Sequence, residues 1–252
     1  MRGAYLLRII GKTDIGKVRE NNQDDFAYGL LPDGAAWAVV CDGMGGASGG
    51  SVASSIAVHA ISEGIESQYT GQSDEKSIQE LLLGVLKQAN EQVYKKSRDD
   101  ISLHGMGTTV VACLAKNDTA FIGHAGDSRA YLIKSESLEQ LTVDHSVVQE
   151  MVDKGQITQE EAQNHPNKNL ITRALGVEST LKIDFGAYHF PEGTGVLLCS
   201  DGLSNLVDRE AIVKAFGDHF DQAAEDLIGL ANENGGTDNI TAVIVVNANG
   251  QE

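Results

Sequence analysis

The sequence predicts an α+β fold with antiparallel sheets. Strand-like segments come in runs, give way to two helical segments and then return, whereas a parallel sheet would need regular alternation of strand and helix. Gly, Asp and Asn separate nearly all of these strand-like segments, which is typical of short turns. The chain has 252 residues, of which 41% are hydrophobic and only 3 are proline, so we expect one compact domain over residues 1–252.

The strand-like segments are short runs of apolar and β-branched residues. They cover residues 4–10, 25–30, 36–41, 108–115, 119–124, 130–134, 182–190, 196–199 and 240–246. Helices are predicted at residues 51–65, 78–93, 210–216 and 222–232. The second helix is the clearest, because its apolar residues follow 3.6-residue spacing and Ser77-Ile-Gln-Glu80 has the pattern of a capping box.

Residues 155–176 lose the hydrophobic pattern and become polar, although predicted core elements lie on both sides of them. Thr158-Gln-Glu-Glu161 could cap a short helix within this segment. A polar stretch of this length inside a compact domain is typically either a functional flap or a disordered loop. We expect a flap that helps to select substrates.

The charge balance is strongly acidic, with 19 Lys and Arg against 36 Asp and Glu and a net charge of −17. Nucleic-acid-binding proteins normally carry the opposite balance, so no nucleic-acid partner is expected.

The longest apolar stretch, residues 35–41, is far shorter than the roughly 20 residues of a membrane span. No secretory signal is recognised either, and we expect a cytoplasmic protein. Cys41, Cys113 and Cys199 lack CxxC spacing, which argues against disulfides and zinc.

Aspartates stand at the ends of four strand-like segments. Asp42, Asp127 and Asp201 each follow such a segment almost directly, and Asp238 precedes the last one. Any one of them could be an ordinary turn residue. Four together indicate converging carboxylates, which repel one another unless a cation neutralises them. Oxygen ligands favour Mg²⁺ or Mn²⁺ over zinc, and Gly43 would let a main-chain carbonyl approach such an ion.

These aspartates lie within seven short motifs that occur in a fixed order. The motifs are Arg19-Glu-Asn-Asn-Gln-Asp24, Asp42-Gly-Met-Gly-Gly46, Gly107-Thr-Thr109, Gly126-Asp-Ser-Arg129, Asp144-His-Ser146, Ser200-Asp-Gly-Leu203 and Asp238-Asn-Ile-Thr241. Over essentially its whole length the sequence resembles the PPM, or type 2C, metal-dependent serine/threonine protein phosphatases in their short bacterial form. The resemblance implies a four-layer α-β-β-α sandwich of two antiparallel sheets flanked by helices, with a two-metal centre at one edge.

The resemblance also implies how two Mn²⁺ or Mg²⁺ ions are held. Asp42 would bridge both ions, and the carbonyl of Gly43 would complete one site. Asp201 and Asp238 would hold the other ion. Asp127 matches the aspartate that, together with Asp201, holds a third ion in bacterial members of the family.

Two further residues would act beside the metal ions without binding them directly. Arg19 matches the arginine that grips the substrate phosphate, and Asp24 matches a carboxylate of the outer shell. The implied reaction is hydrolysis of phosphoserine and phosphothreonine on proteins by a metal-bridging hydroxide, without a phosphoenzyme. The implied partners are phosphorylated proteins, including a bacterial Ser/Thr kinase that the enzyme opposes, and a monomer is expected.

The residues leave two other functions open. A catalytically inactive, phosphatase-like binding module would lack one or more metal aspartates, and none is missing. A regulator of a stress or sporulation switch would carry a sensor, for which 252 residues leave no room.

His124 and His145 form no helical HxxxH pair and are expected to be structural. Met44 stands where some members of the family have a histidine that acts as general acid, so water would protonate the leaving oxygen.

Overall fold

The computed structural model describes residues 6–218 and 220–248, and it confirms the expected sandwich of two antiparallel sheets flanked by helices. The first sheet has the order β1 (Leu6–Asp14), β11 (Ile240–Ala248), β10 (Thr194–Cys199), β7 (Arg129–Lys134) and β8 (Ser137–Gln140). The second sheet has the order β2 (Asp24–Leu30), β3 (Ala36–Met44), β5 (Val110–Lys116), β6 (Thr119–Ala125) and β9 (Asp184–His189). The short β4 (Gly107–Thr108) pairs with the end of β3.

The helices flank these sheets on their outer faces. Their bounds are α1 (Gly46–Gln68), α2 (Glu75–Asp99), α3 (Val147–Asp153), α4 (Gln159–Gln163), α5 (Asp201–Ser204), α6 (Arg209–Asp218) and α7 (Ala223–Glu233). Helices α1 and α2 share a hydrophobic cluster with the second sheet, and α6 and α7 share another with the first sheet. No helix within the described ranges is long and apolar enough to cross a bilayer.

Strand β3 shows how the four layers meet. Trp37, Val39 and Cys41 belong to the cluster that the second sheet forms with α1 and α2. Ala38 and Val40 alternate with them and belong to the cluster between the two sheets. Because both faces are buried, this strand is a nearly continuous apolar run in the sequence.

The helix caps correct one prediction and agree with another. Helix α2 begins at Glu75, and its cap is Asp74, whose side chain accepts a 2.8 Å hydrogen bond from the Ser77 N–H. The predicted capping box at Ser77 is therefore wrong, because Ser77 already lies in the first turn. At α4 the Thr158 hydroxyl accepts a hydrogen bond from the Glu161 N–H, and the Glu161 carboxylate accepts one from the Thr158 N–H.

Other predicted elements differ from the structure mainly in length. Helix α1 begins at Gly46, earlier than predicted, and β8, α3 and α5 were not predicted because they have too few residues to show a period. The segment predicted as one strand at 108–115 is divided at Thr109, whose N–H bonds to the Asp42 carbonyl at 2.8 Å. The beginning of the first predicted strand, residues 4 and 5, lies outside the described residues.

Residues 155–176 cross from α3 back to the second sheet and contain α4. The returning end of this crossing is held through isolated β-bridges from Ile171 to Ser146 and from Leu175 to Thr108. Most residues between 155 and 170 are exposed. The crossing therefore lies over the protein surface, and its returning end is tied down by the two bridges.

Candidate metal centre

The aspartates singled out in the sequence line one cavity of about 820 Å³. Its lining includes Arg19, Asp42, Gly43, Asp127, Asp201 and Asp238. Asp24 lies beside this cavity and pairs with Asp42 across β2 and β3. The structure thus brings together every residue that the sequence analysis placed at the metal centre.

The cavity lies at one edge of the sandwich, and residues from both sheets line it. Asp42 lies near the end of β3, and Asp127 follows β6, so these two come from the second sheet. Asp201 begins α5 directly after β10, and Asp238 precedes β11, so these two come from the first sheet. The sandwich therefore holds the four carboxylates in place through strands that are themselves buried.

The carboxylates raise one another's pKa. Burial, together with the nearby Asp24 and Asp201 carboxylates, raises the pKa of Asp42 well above its usual range. Burial and the Asp238 carboxylate raise the pKa of Asp201. Burial and Asp201 raise the pKa of Asp127 to about 7. Such mutual repulsion is relieved by a bound cation, and an all-oxygen donor set fits Mn²⁺ or Mg²⁺.

Asp24 is the most enclosed carboxylate of the group. Its Oδ2 accepts hydrogen bonds from the hydroxyls of Ser200 and Thr241, each at 2.7 Å. Burial raises its pKa to about 7 despite these two bonds. Its Oδ1 is buried and has no hydrogen-bond partner among the described residues. An acceptor left free beside Asp42 suits a carboxylate that binds a metal-coordinated water rather than the metal.

Arg19 reaches the cavity from the loop that follows β1. Its guanidinium donates a 2.7 Å hydrogen bond to Oδ2 of Asp238 and remains about half exposed, at 53%. Asn239 fixes this loop, since its Oδ1 accepts a 2.8 Å bond from the Gln23 N–H and its Nδ2 donates to the Asn21 carbonyl at 3.0 Å. The Asp238-Asn239 pair therefore touches Arg19 with one side chain and holds its loop with the other.

Gly43 is required by the approach of α1 to β3. A Cβ at this position would lie 2.1 Å from the carbonyl oxygen of Gly50 in α1. The Gly43 N–H also donates a 3.0 Å bond to the Gln23 carbonyl, and the Ser54 hydroxyl donates to the same carbonyl at 2.7 Å. The glycine thus lets the strand end, the helix and the Arg19–Gln23 loop meet beside Asp42.

Residues missed by the sequence analysis link the motifs to one another. Arg129 forms a two-point ion pair with Asp144, with Nε–Oδ1 at 2.9 Å and an NH2–Oδ2 distance of 2.6 Å. Thr109 accepts a 2.9 Å bond from the Asp42 N–H and shares a 2.7 Å hydroxyl contact with Ser128. All of these residues stand inside the quoted motifs, so the motifs themselves were the signal.

A second cavity of about 630 Å³ adjoins the first one. Asp127 and Asp201 line both cavities, and the Arg129–Asp144 pair lines the second. Residues of α4 and α6 also line it. Asp127 therefore stands between the metal centre and the segment 155–176.

Another group, formed by His124, His145 and Asp184, brings three potential metal ligand atoms within 4.8 Å of one another. The Nε2 atom of His145 lies 3.1 Å from Asp184, and its Nδ1 accepts from the Gly126 N–H. The guanidinium of Arg173 donates to the same Asp184 at 2.9 Å. Because these partners occupy the ligand atoms and Arg173 already supplies a cation, the group acts as a structural hydrogen-bond cluster.

Residues 13–234 match the family model described as Protein phosphatase 2C. The chain belongs to this family. A serine/threonine phosphatase, stp, of Listeria monocytogenes is 38% identical over 237 residues and is covered to 93%, as is this chain. Protein phosphatase PhpP of Streptococcus pneumoniae is 36% identical, with 92% of this chain and 94% of the relative covered. The protein is therefore a serine/threonine phosphatase of the short bacterial type.

Solved structures carry the same fold. The serine/threonine phosphatase of S. agalactiae superimposes with a TM-score of 0.89 at 35% identity, covering 95% of this chain and 99% of that one. The catalytic domain of the phosphatase PstP, solved in complex with 2 manganese ions, gives a TM-score of 0.82 at 34% identity, with 96% and 99% covered. The phosphatase 2C family is metal-dependent, in keeping with the carboxylate-lined cavity.

Proposed function

We propose that this phosphatase hydrolyses phosphoserine and phosphothreonine on proteins in the cavity lined by Asp42, Asp201 and Asp238, with two Mn²⁺ or Mg²⁺ ions. The observation that carries the proposal is the meeting of carboxylates from both sheets in one open cavity. The raised pKa values of Asp42 and Asp201 show that ionised carboxylates are unfavourable here unless cations neutralise them. In a phosphatase, this cluster of carboxylates would bind the metal ions that the reaction needs.

In this proposal each residue of the centre has its own role. Asp42 would serve both ions, the Gly43 carbonyl would complete one site, and Asp201 and Asp238 would hold the other. Asp127 and Asp201 would hold a third ion. Burial and the Asp24 charge raise the pKa of Asp42, and the charges of Asp201, Asp127 and Asp238 raise it further, which supports a place for Asp42 close to both ions.

The chemistry requires no nucleophilic side chain. The two ions, when bound, would lower the pKa of a water between them, so that hydroxide attacks phosphorus in line with the leaving oxygen. The guanidinium of Arg19 donates hydrogen bonds to the phosphate oxygens and stabilises the negative charge that develops on them. Asp24 accepts a hydrogen bond from coordinated water through its free Oδ1. Met44 lines the cavity and cannot donate a proton, so water protonates the leaving serine or threonine oxygen.

The surroundings of the cavity bear on the substrate. We propose one phosphatase domain over residues 1–252, in which residues 155–176 form a flap that contacts the protein around the phosphorylated residue. Asn169 and Ile171 of this segment already line the cavity. The expected partners are phosphorylated proteins, including a Ser/Thr kinase whose action the enzyme reverses. Three free, buried cysteines agree with a location in the cytoplasm, and the protein is expected to act there as a monomer.

The test is hydrolysis of a phosphothreonine peptide and of p-nitrophenyl phosphate with Mn²⁺, Mg²⁺ or EDTA. The proposal expects turnover of both substrates with either metal and none with EDTA. Turnover that survives EDTA would contradict the metal mechanism. Metal binding without any turnover would instead favour a binding module.

A further inference from the structure

The turn that carries Asp127 is packed on one side by Thr109. Gly126, which precedes Asp127, has a φ of 113°, in the left-handed region. A Cβ at Gly126 would lie 2.7 Å from the Thr109 side chain, so only glycine allows this close approach. The Thr109 hydroxyl also contacts the hydroxyl of Ser128, on the other side of Asp127. One face of the turn is thus fixed to the end of β3.

His145 holds the opposite side of the same turn. Its backbone N–H donates to the Gly126 carbonyl at 2.9 Å, and its Nδ1 accepts from the Gly126 N–H at 3.1 Å. Both backbone polar groups of Gly126 therefore bond to a single residue. His145 is only 6% exposed, so water does not readily replace these bonds.

The same histidine contacts the returning end of the segment 155–176. Its carbonyl accepts a 2.7 Å hydrogen bond from the Thr172 N–H. Because Nδ1 is an acceptor, the neutral ring carries its proton on Nε2, which lies 3.1 Å from Oδ2 of Asp184 and 2.9 Å from a guanidinium nitrogen of Arg173. Since the guanidinium can only donate, Asp184 is the acceptor for the Nε2 proton. Arg173, next to Thr172, donates to the other oxygen of Asp184 at 2.9 Å. His145 therefore has Gly126 on one side and residues 172–173 on the other.

We propose that His145 is a positioning residue that couples the segment 155–176 to Asp127. A shift of Thr172 or Arg173 would reach the turn through one buried side chain and its backbone, and would reorient the Asp127 carboxylate between the two cavities. The proposal rests on the proposed function where it takes Asp127 to be a metal ligand. The hydrogen-bond link itself can be measured without metal or substrate.

The histidine offers two conservative variants that separate its two ring contacts. In His145→Asn the side-chain oxygen can take the place of Nδ1 and accept from Gly126. In His145→Gln the amide nitrogen can take the place of Nε2 and donate to Asp184. His124 is the matched control, since it is equally buried and stacks on His145 with ring centroids 4.6 Å apart. Its Nε2 bonds to the Val143 carbonyl, and it makes no hydrogen bond to Gly126.

The first experiment measures amide hydrogen exchange by NMR on the full chain in EDTA. Exchange at Gly126 is compared with exchange at Val243 in β11, which reports global unfolding. Relative to Val243, we expect exchange at Gly126 to be about tenfold faster in His145→Ala and His145→Gln, and close to wild type in His145→Asn and His124→Ala. Equal exchange at Gly126 in His145→Ala and His124→Ala would overturn the proposal.

The second experiment tests whether the link serves Asp127. We expect His145→Ala to lower kcat on p-nitrophenyl phosphate, and to lower it no further in a chain that already carries Asp127→Ala. Independent, multiplying losses from the two changes would overturn the coupling. A wild-type chain without turnover would refute the proposed function, and the exchange comparison would still decide the hydrogen-bond link.

Discussion

Arg19 and Asp238 are joined by a 2.7 Å hydrogen bond, which puts the candidate phosphate-binding group in direct contact with a candidate metal ligand. The hydrogen bond and charge of Asp238 raise the pKa of Arg19. The two side chains are 53% and 31% exposed, and ion pairs as exposed as this contribute only about 0–1 kcal/mol. Arg19 can therefore exchange the carboxylate for a phosphate at little cost.

The first prediction concerns Arg19→Ala. We expect a raised KM, some fall in kcat and a loss in kcat/KM of roughly 2–4 kcal/mol, because a charge-assisted grip on the phosphate is removed. Metal affinity should change by less than about fivefold, as the exposed pair with Asp238 is weak. Arg19→Lys should recover only part of the loss, since lysine lacks the planar fork.

Steady-state kinetics on a phosphothreonine peptide and calorimetric metal titration provide these values. Arg98→Ala is the control, because Arg98 is an exposed arginine in the last turn of α2. Unchanged kinetics in Arg19→Ala would leave the phosphate held by metals alone.

The second prediction concerns the pH dependence of stability through Asp24. Its folded-state pKa of about 7 lies above the ordinary value of 3.8, so the folded state binds the proton more tightly than the unfolded state. Stability from this group is therefore fully present below about pH 4 and is lost as the pH rises to about 7, by at most about 4 kcal/mol. Asp24→Asn, which cannot ionise, should escape this loss.

Urea unfolding in EDTA at pH 5 and pH 8 measures the difference between wild type and Asp24→Asn. We expect the variant to gain stability over wild type at the higher pH. A difference that is the same at both values would show that Asp24 does not titrate in this range.

The third prediction concerns Asp127→Ala. Because Asp127 would hold an ion additional to the two that Asp42 bridges, activity should fall while two tight metal sites remain. Calorimetric titration with Mn²⁺ distinguishes the sites by affinity. Loss of a tight site would place Asp127 in the primary centre instead.

The fourth prediction concerns the segment 155–176. We expect the double change Asn164→Ala and Lys168→Ala, at residues that line only the second cavity, to lower kcat/KM on a phosphothreonine peptide by about tenfold, or ~1.4 kcal/mol. The same change should spare p-nitrophenyl phosphate, which is too small to reach these two residues. The ratio of the two kcat/KM values is the measurement. Equal losses on both substrates would mark the segment as structural support.

The sequence predicted the sheet architecture well because the inner strands are buried on both faces. Val39 and Val40 point to opposite clusters, yet both positions must be apolar, so a long apolar run identified β3. Short elements gave no such signal. The four residues of α5 make little more than one turn, and the sequence does not show the close approach of Gly202 to the Asn239 carbonyl that accompanies this turn.

The sequence could name the carboxylates of the site but not their contacts. Spacing could not show that Asp24 stands opposite Asp42 or that one oxygen of Asp24 is left without a partner. The pairing of Arg129 with Asp144 joins two motifs through tertiary structure alone. The contact between Arg19 and Asp238, which are 219 positions apart, was likewise beyond the sequence.

The central claim is that Asp42, Asp201 and Asp238 hold two divalent metal ions. Anomalous scattering from crystals grown with Mn²⁺ tests it most directly, with Asp42→Asn crystals as the comparison. The account predicts two strong peaks in the cavity, both within coordination distance of Asp42, and their loss or weakening in Asp42→Asn. Peaks confined to the cluster of His124, His145 and Asp184, or no peaks in the cavity of the wild-type protein, would contradict it.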